Sequence, residues 1–221
     1  MKHGASVEGL RLLQRVVEGA LGSAILHAQS YSCGEVRDDR RAFHAFVGIM
    51  VDHIDAQYET ESRFRELLSE AWPQASATRL GRSRGKLDAA RAILQRSLED
   101  SRNRASDPTS AARLEKALRD FQGLWSKHAA AVEETLTEAF VQEHVALEDE
   151  EAFVAELEAK AEARGAQEPD QLAFFLYNLR DEDRRAFASS VPWMVRNVMV
   201  PFVWREKWRS MERYFAHSNA A

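Results

Sequence analysis

Between Thr109 and Arg164 the chain contains no proline and a single glycine, Gly123. Such a run leaves little alternative to helix, because proline and glycine are the residues that interrupt one. Its apolar side chains agree: Leu114, Leu118, Phe121, Trp125, Val132, Leu136 and Phe140 recur at helical spacing and, with His128 among them, share one face. A second stripe, Phe46, Met50, His53, Gln57 and Phe64, keeps the same period. With 10 glycines and 5 prolines in 221 residues, an all-α fold is expected throughout.

Ser6 is the candidate N-cap of a first helix that carries Val7, Leu10, Gln14, Val17, Leu21 and Ile25 on one face and ends near Tyr31 to Gly34. Asp38 is placed to cap a second helix, which runs to about Trp72 and stops at Pro73. A third is expected from about Ala75 to Arg102, with Leu87, Ala90, Leu94 and Leu98 inward and Gly81 and Gly85 weakening its start. Asp107 and Pro108 open the fourth, where the missing N–H of proline does no harm. The long run after it reads as one helix or two joined by a kink, with the break near Glu143 to Glu150. The acidic stretch Glu143 to Glu151 reads as a solvated face or a helix junction. Gly165 to Asp170 reads as a linker, with Pro169 and Asp170 starting the next helix.

The C-terminal part changes character. Trp193, Trp204 and Trp208 stand among Met194, Met199, Phe202, Tyr214 and Phe215, punctuated by Pro192 and Pro201. Short helices of this kind cover one side or end of a bundle. The expected architecture is an up-down four-helix bundle over residues 1-148, with a helical C-terminal extension over 149-221 packed on it.

The net charge of -5, with acids and bases interspersed, gives no general pull toward nucleic acid or anionic lipid. One cysteine, Cys33, rules out an internal disulfide and a cysteine-based zinc site. The free thiol and a start (Met1-Lys2-His3-Gly4) unlike a signal peptide point to the cytoplasm. Val191 to Trp204, the most apolar C-terminal run, contains Arg196 and Asn197 and is too short to span a bilayer. A membrane partner is therefore not expected, and a homodimer is compatible with the composition.

His53 and His128 intrude on apolar stripes, and a polar ring in a helical core is costly without a partner. Gln14, Gln57 and Glu61 fall at similar depth if the helices alternate in direction, while Ala90 is small and leaves space. A bundle core is where helical proteins assemble cofactor and ligand sites from facing helices. Each histidine also has a plain reading as hydrogen-bonded packing. His44 lies nine residues before His53 and points to the opposite face; it, His3, His27, His144 and His217 read as surface or interface residues.

At these positions the chain resembles the hemerythrin-like, or HHE-domain, family, especially bacterial members with a helical C-terminal extension. That family binds a non-haem di-iron centre with a His on the first helix, His-x-x-x-Glu on the second, a His on the third and His-x-x-x-Glu on the fourth. Leu10 to Arg15 looks like the first motif with Gln14 in place of His, and His53-Ile54-Asp55-Ala56-Gln57 like the second with Gln for Glu. Leu87 to Ala90 is similar to the third with Ala90 for His, and His128 to Glu134 to the fourth with Val132 for Glu. Phe174 to Tyr177, Val191 to Met194 and Trp204 to Tyr214 look like the extension. Only His53 and His128 of the implied ligands remain.

Three functions are consistent with this. In the first, the bundle has lost its metal and become a small-molecule pocket for cofactor-free acid/base chemistry, such as that of a cyclase, isomerase or dehydratase. His53, His128, Gln57 and Gln14 are its candidate catalytic residues, and Phe46, Met50, Ala90, Trp125 and Val132 its walls. In the second, His53, His128 and Glu61 hold a non-haem iron that binds or reduces dioxygen, peroxide or nitric oxide. In the third, the chain is a non-enzymatic sensor or interaction module.

Overall fold

The computed structural model describes residues 3–33, 40–68, 71–72, 74–104 and 107–216, and every regular element in them is helical. The elements are α1 (Ala5–Ser32), α2 (Arg40–Leu67), α3 (Gln74–Asn103), α4 (Pro108–Thr135), α5 (Glu138–His144), α6 (Leu147–Gln167), α7 (Pro169–Asn178) and α8 (Asp181–Ser190). A π-helical turn (Val195–Val203), α9 (Arg205–Trp208) and a 3₁₀ turn (Arg209–Tyr214) follow. No helix among the described residues is long and apolar enough to cross a membrane.

α4 starts where its sequence dictates: the Asp107 side chain accepts from the Thr109 amide at 2.9 Å, with Pro108 in the first turn. α1 does not. Its cap is Gly4, at φ 95°, a left-handed conformation that suits glycine. Ser6 instead lies inside the helix, where its hydroxyl and amide both donate to Glu150 of α6. Gly4 N–H donates to both oxygens of the same carboxylate, at 3.1 and 2.9 Å. A buried anion thus closes the N-terminus of α1, where orphan donors and the helix dipole favour negative charge. Burial works to raise the pKa of Glu150, but the Ser6 hydroxyl and the Gly4 and Ser6 amides outweigh it, and the net direction is down.

Several boundaries differ from the sequence reading. α2 ends at Leu67, short of Trp72, in a turn where the Ala71 and Trp72 amides donate to the Leu68 carbonyl. Asp38, Pro73 and His217 lie outside the described residues. The run from Thr109 breaks twice, at Leu136–Thr137 as well as within the expected stretch at Val145–Ala146. The first break follows from a local cap, since Thr137 accepts from the Phe140 amide at 3.1 Å. It turns Leu136 and Val141 into the same apolar cluster. Gly165 does not open a linker; α6 continues through it to Gln167. Glu168 alone separates α6 from α7, held out of helical geometry by the proline that follows.

α1 packs on α2 and α4, and α3 packs on α2 and α4. Cross-helix bonds give their directions. Ser32 near the end of α1 bonds Glu115 near the start of α4. Arg79 and Glu134 join the start of α3 to the end of α4, and Asp100 and Arg113 join the opposite ends. His44 near the start of α2 meets Ser101 near the end of α3. Each of these pairs runs antiparallel. α7 and the C-terminal turns lie against α1 and α2, and one apolar cluster contains Phe46, Leu118 and Trp125 together with Phe174, Trp208 and Tyr214.

The extension meets α1 at close range. A Cβ on Gly19 would sit 2.4 Å from the Asn178 carbonyl oxygen, and Ser23 Oγ donates to the Tyr214 carbonyl. Of the C-terminal aromatics, Trp208, Tyr214 and Phe215 are buried, whereas Trp193 and Phe202 are exposed.

His44, read from the sequence as a surface or interface residue, is buried inside the chain: α3 covers that face of α2, and the ring bonds Ser101 Oγ at 2.9 Å. Burial first, then Arg102 and Arg40, lower its pKa from 6.5 to about 4. Because the folded-state pKa is depressed, the unfolded chain binds the proton more readily. Stability is therefore full above pH 6.5 and declines as pH falls toward 4, by on the order of 3 kcal/mol. Urea titrations between pH 7 and 4 should show that slope, and His44→Gln should flatten it.

Candidate functional site

Two apolar clusters fill the helices, and a polar layer separates them. Going along α1, Leu10 belongs to one cluster and Val16 to the other, with Gln14 between. Along α2, Tyr58 and Phe64 flank Glu61; along α3, Leu80 and Leu87 flank Ser83; along α4, Trp125 and Val132 flank His128. Each helix thus places at least one polar side chain where the two clusters meet.

His128 is the hub. Its Nε2 lies 2.9 Å from Glu61 Oε2 and its Nδ1 lies 2.9 Å from Ser83 Oγ. Gln57 Nε2 donates to the other Glu61 oxygen at 3.0 Å. Glu61 is one turn beyond Gln57, so both project from one face of α2. With the hydrogen of a neutral His128 on Nε2, Glu61 accepts at both oxygens and Ser83 donates to Nδ1; in the imidazolium the same contacts hold with Nδ1–H donating to Ser83 Oγ. A carboxylate that fixes the tautomer leaves the other ring nitrogen basic and stabilises the imidazolium that forms on protonation.

The remaining residues are placed as follows. Gln14 is buried at 2% exposure, and among the described residues neither atom of its amide has a hydrogen-bond partner; nor has Gln57 Oε1. His53 does not join His128. Its ring stacks on Phe174 of α7, 4.8 Å between centroids and 13° between planes. Phe46 and Met50 are buried and pack with the C-terminal extension in one cluster, with Phe46 5.2 Å from the Phe174 ring. Trp125 stacks on Phe121, Val132 belongs to the other cluster, and Ala90 is partly buried against the first.

Ser83 was not among the residues singled out from sequence. Its signal was present: it lies one turn before Leu87, on the inward stripe of α3. No group of three His, Cys, Asp or Glu side chains among the described residues is arranged to hold a metal ion. The donor set fits iron poorly, since Glu61 and His128 are bonded to each other while the His53 ring faces an aromatic stack.

The chain matches no protein-family model, no curated protein and no solved structure.

Proposed function

We propose that this chain is an up-down four-helix bundle of the hemerythrin-like kind, with an eroded di-iron site, that carries out cofactor-free acid/base chemistry on a small molecule. The reaction class is isomerisation, cyclisation or dehydration, in which a proton leaves one atom of the substrate and is delivered to another. The observation that carries this reading is His128 held between Glu61 and Ser83. A neutral imidazole oriented by a carboxylate is the usual general base of such steps. Gln57 donates to the other oxygen of Glu61 and so holds the carboxylate that orients the ring. Iron chemistry is disfavoured by the donor arrangement, in which Glu61 already occupies His128 Nε2.

The same layer has a purely architectural interpretation, as a buried network that fixes helix register. Turnover separates the two. Wild-type protein, with chelator present, is incubated with a panel of small carbonyl, hydroxy and phosphorylated compounds followed by NMR. Glu61→Gln and His128→Gln are expected to lower any turnover by a hundredfold or more, in line with the ~10²–10⁴ that acid/base groups contribute. Gln14→Leu is expected to raise stability by about 1 kcal/mol, because an unpaired buried amide is removed. No turnover by the wild type, turnover that survives both His128→Gln and Glu61→Gln, or turnover abolished by chelator would overturn the proposal.

A further inference from the structure

Among Gln14, Gln57, Glu61, His128 and Ser83, only Ser83 is more than marginally exposed. It opens onto a groove of about 510 Å³ between α3 and α4. That size lies within the range of ~300–1,000 Å³ typical of small-molecule sites. The groove is strongly and locally basic. Arg79, Arg82, Lys86 and Lys127 line it against a single acid, Glu134, leaving a net charge of +3 in a chain whose overall charge is -5.

Arg79 is committed to Glu134 at 2.8 Å. Arg82, Lys86 and Lys127 have no carboxylate partner among the described residues, although elsewhere on these helices cations are paired, as in Arg84 with Asp88 and Lys116 with Asp120. On α3, Arg79, Ser83 and Lys86 follow at i, i+4 and i+7, so the cations and the hydroxyl share one edge. Like charges gathered on one concavity repel one another, and an anion placed there relieves the repulsion.

Ser83 is not arranged as an acyl acceptor. It sits inside a continuous helix, where the neighbouring amides are consumed by helical hydrogen bonds and offer no pair of donors to an oxyanion. Its bond to His128 Nδ1 suits it to carry protons.

We propose that the α3–α4 groove binds a small anionic substrate, a carboxylate or a phosphate ester, with Arg82, Lys86 and Lys127 holding the anionic group and Ser83 Oγ linking the reacting atom to His128. Ser83 Oγ takes a proton from the substrate as its own hydroxyl proton passes to His128 Nδ1, and the reverse transfer delivers the proton to a different substrate atom. Ser83 ends as it began, and no bond to it is formed. This rests on the acid/base reading of His128.

The test is NMR of the His128 ring in the full-length protein, titrated at low ionic strength with inorganic pyrophosphate and, separately, with succinate. A saturable shift of the His128 signals is expected with at least one of them. The triple variant Arg82→Ala, Lys86→Ala, Lys127→Ala should weaken that binding tenfold or more, whereas Arg113→Ala, an exposed cation on α4 outside the groove, should not. All four positions are exposed, and an unchanged thermal midpoint shows that the fold is retained. Absence of a saturable shift with both anions, or equal affinity in the triple variant, overturns the inference. An anion that binds the groove and leaves the His128 signals unmoved also overturns it, while the acid/base role of His128 stands. Groove-dependent binding that shifts His128, together with turnover that survives His128→Gln, keeps the binding site but removes the proton path.

Discussion

Glu150→Ala is expected to destabilise the fold by about 3–4 kcal/mol, since a buried donor left without its acceptor costs about 1–3 kcal/mol and this carboxylate serves several. Gly4 N–H, Ser6 N–H and the Ser6 hydroxyl all donate to it. None of the three gains a partner when the side chain is cut back to a methyl. Glu150→Gln keeps one acceptor oxygen and should lose roughly half as much. The pH dependence has a defined sign. Because the folded-state pKa lies below 4.5, the stabilisation is present above that value and is lost as pH falls beneath it. That window begins at the lower end of the one assigned to His44, so the decline in stability should continue below pH 4 in the wild type and be shallower there in Glu150→Ala. Chemical denaturation across pH 3–7 measures both.

Gly19→Ala should be nearly as damaging, at about 2–4 kcal/mol, although it adds a single methyl group. The new carbon would lie 2.4 Å from the Asn178 carbonyl, a backbone atom that cannot swing aside like the end of a side chain. Overpacking of this kind ordinarily costs about 1–3 kcal/mol, and a backbone clash belongs at the upper end or beyond. Relief requires α7 to lift from α1, which would disturb Phe174 against Phe46 and His53, and the bond from the Ala216 amide to Asn178 Oδ1. Loss of stability with retained helical circular dichroism, and new protease sensitivity in the C-terminal turns, is the expected pattern. Gly22→Ala is the control, because a Cβ there meets nothing within 4 Å and alanine favours helix.

Periodicity made the helices legible and left their tertiary partners unreadable. The stripes through Phe46 and Leu114 located α2 and α4 because a 3.6-residue repeat is a local property of the chain. Gln14, Gln57, Glu61 and His128 could be picked out for the same reason, as polar residues out of place on apolar faces. Glu150 could not. It stands in an acidic run that resembles a solvated surface, and the donors that justify its burial are 144 and 146 residues away. His44 was misplaced because helix phase relates it to His53 but does not say that a second helix covers the opposite face of α2. Ser83 escaped notice because serine on an inward stripe is unremarkable until a histidine from another helix is set against it.

The bonds to Glu150 and Tyr214 have a consequence for the order in which the molecule is made. α1 is synthesised before the segments it bonds, so its N-terminal donors wait for residue 150 and Ser23 waits for residue 214. Contacts spanning 146 and 191 positions are closed late, since loop closure over such lengths precedes any gain from them. α1 is thus made before α6 and the C-terminal turns yet finished only after them. Until then its apolar face is a surface that nascent-chain chaperones would be expected to occupy.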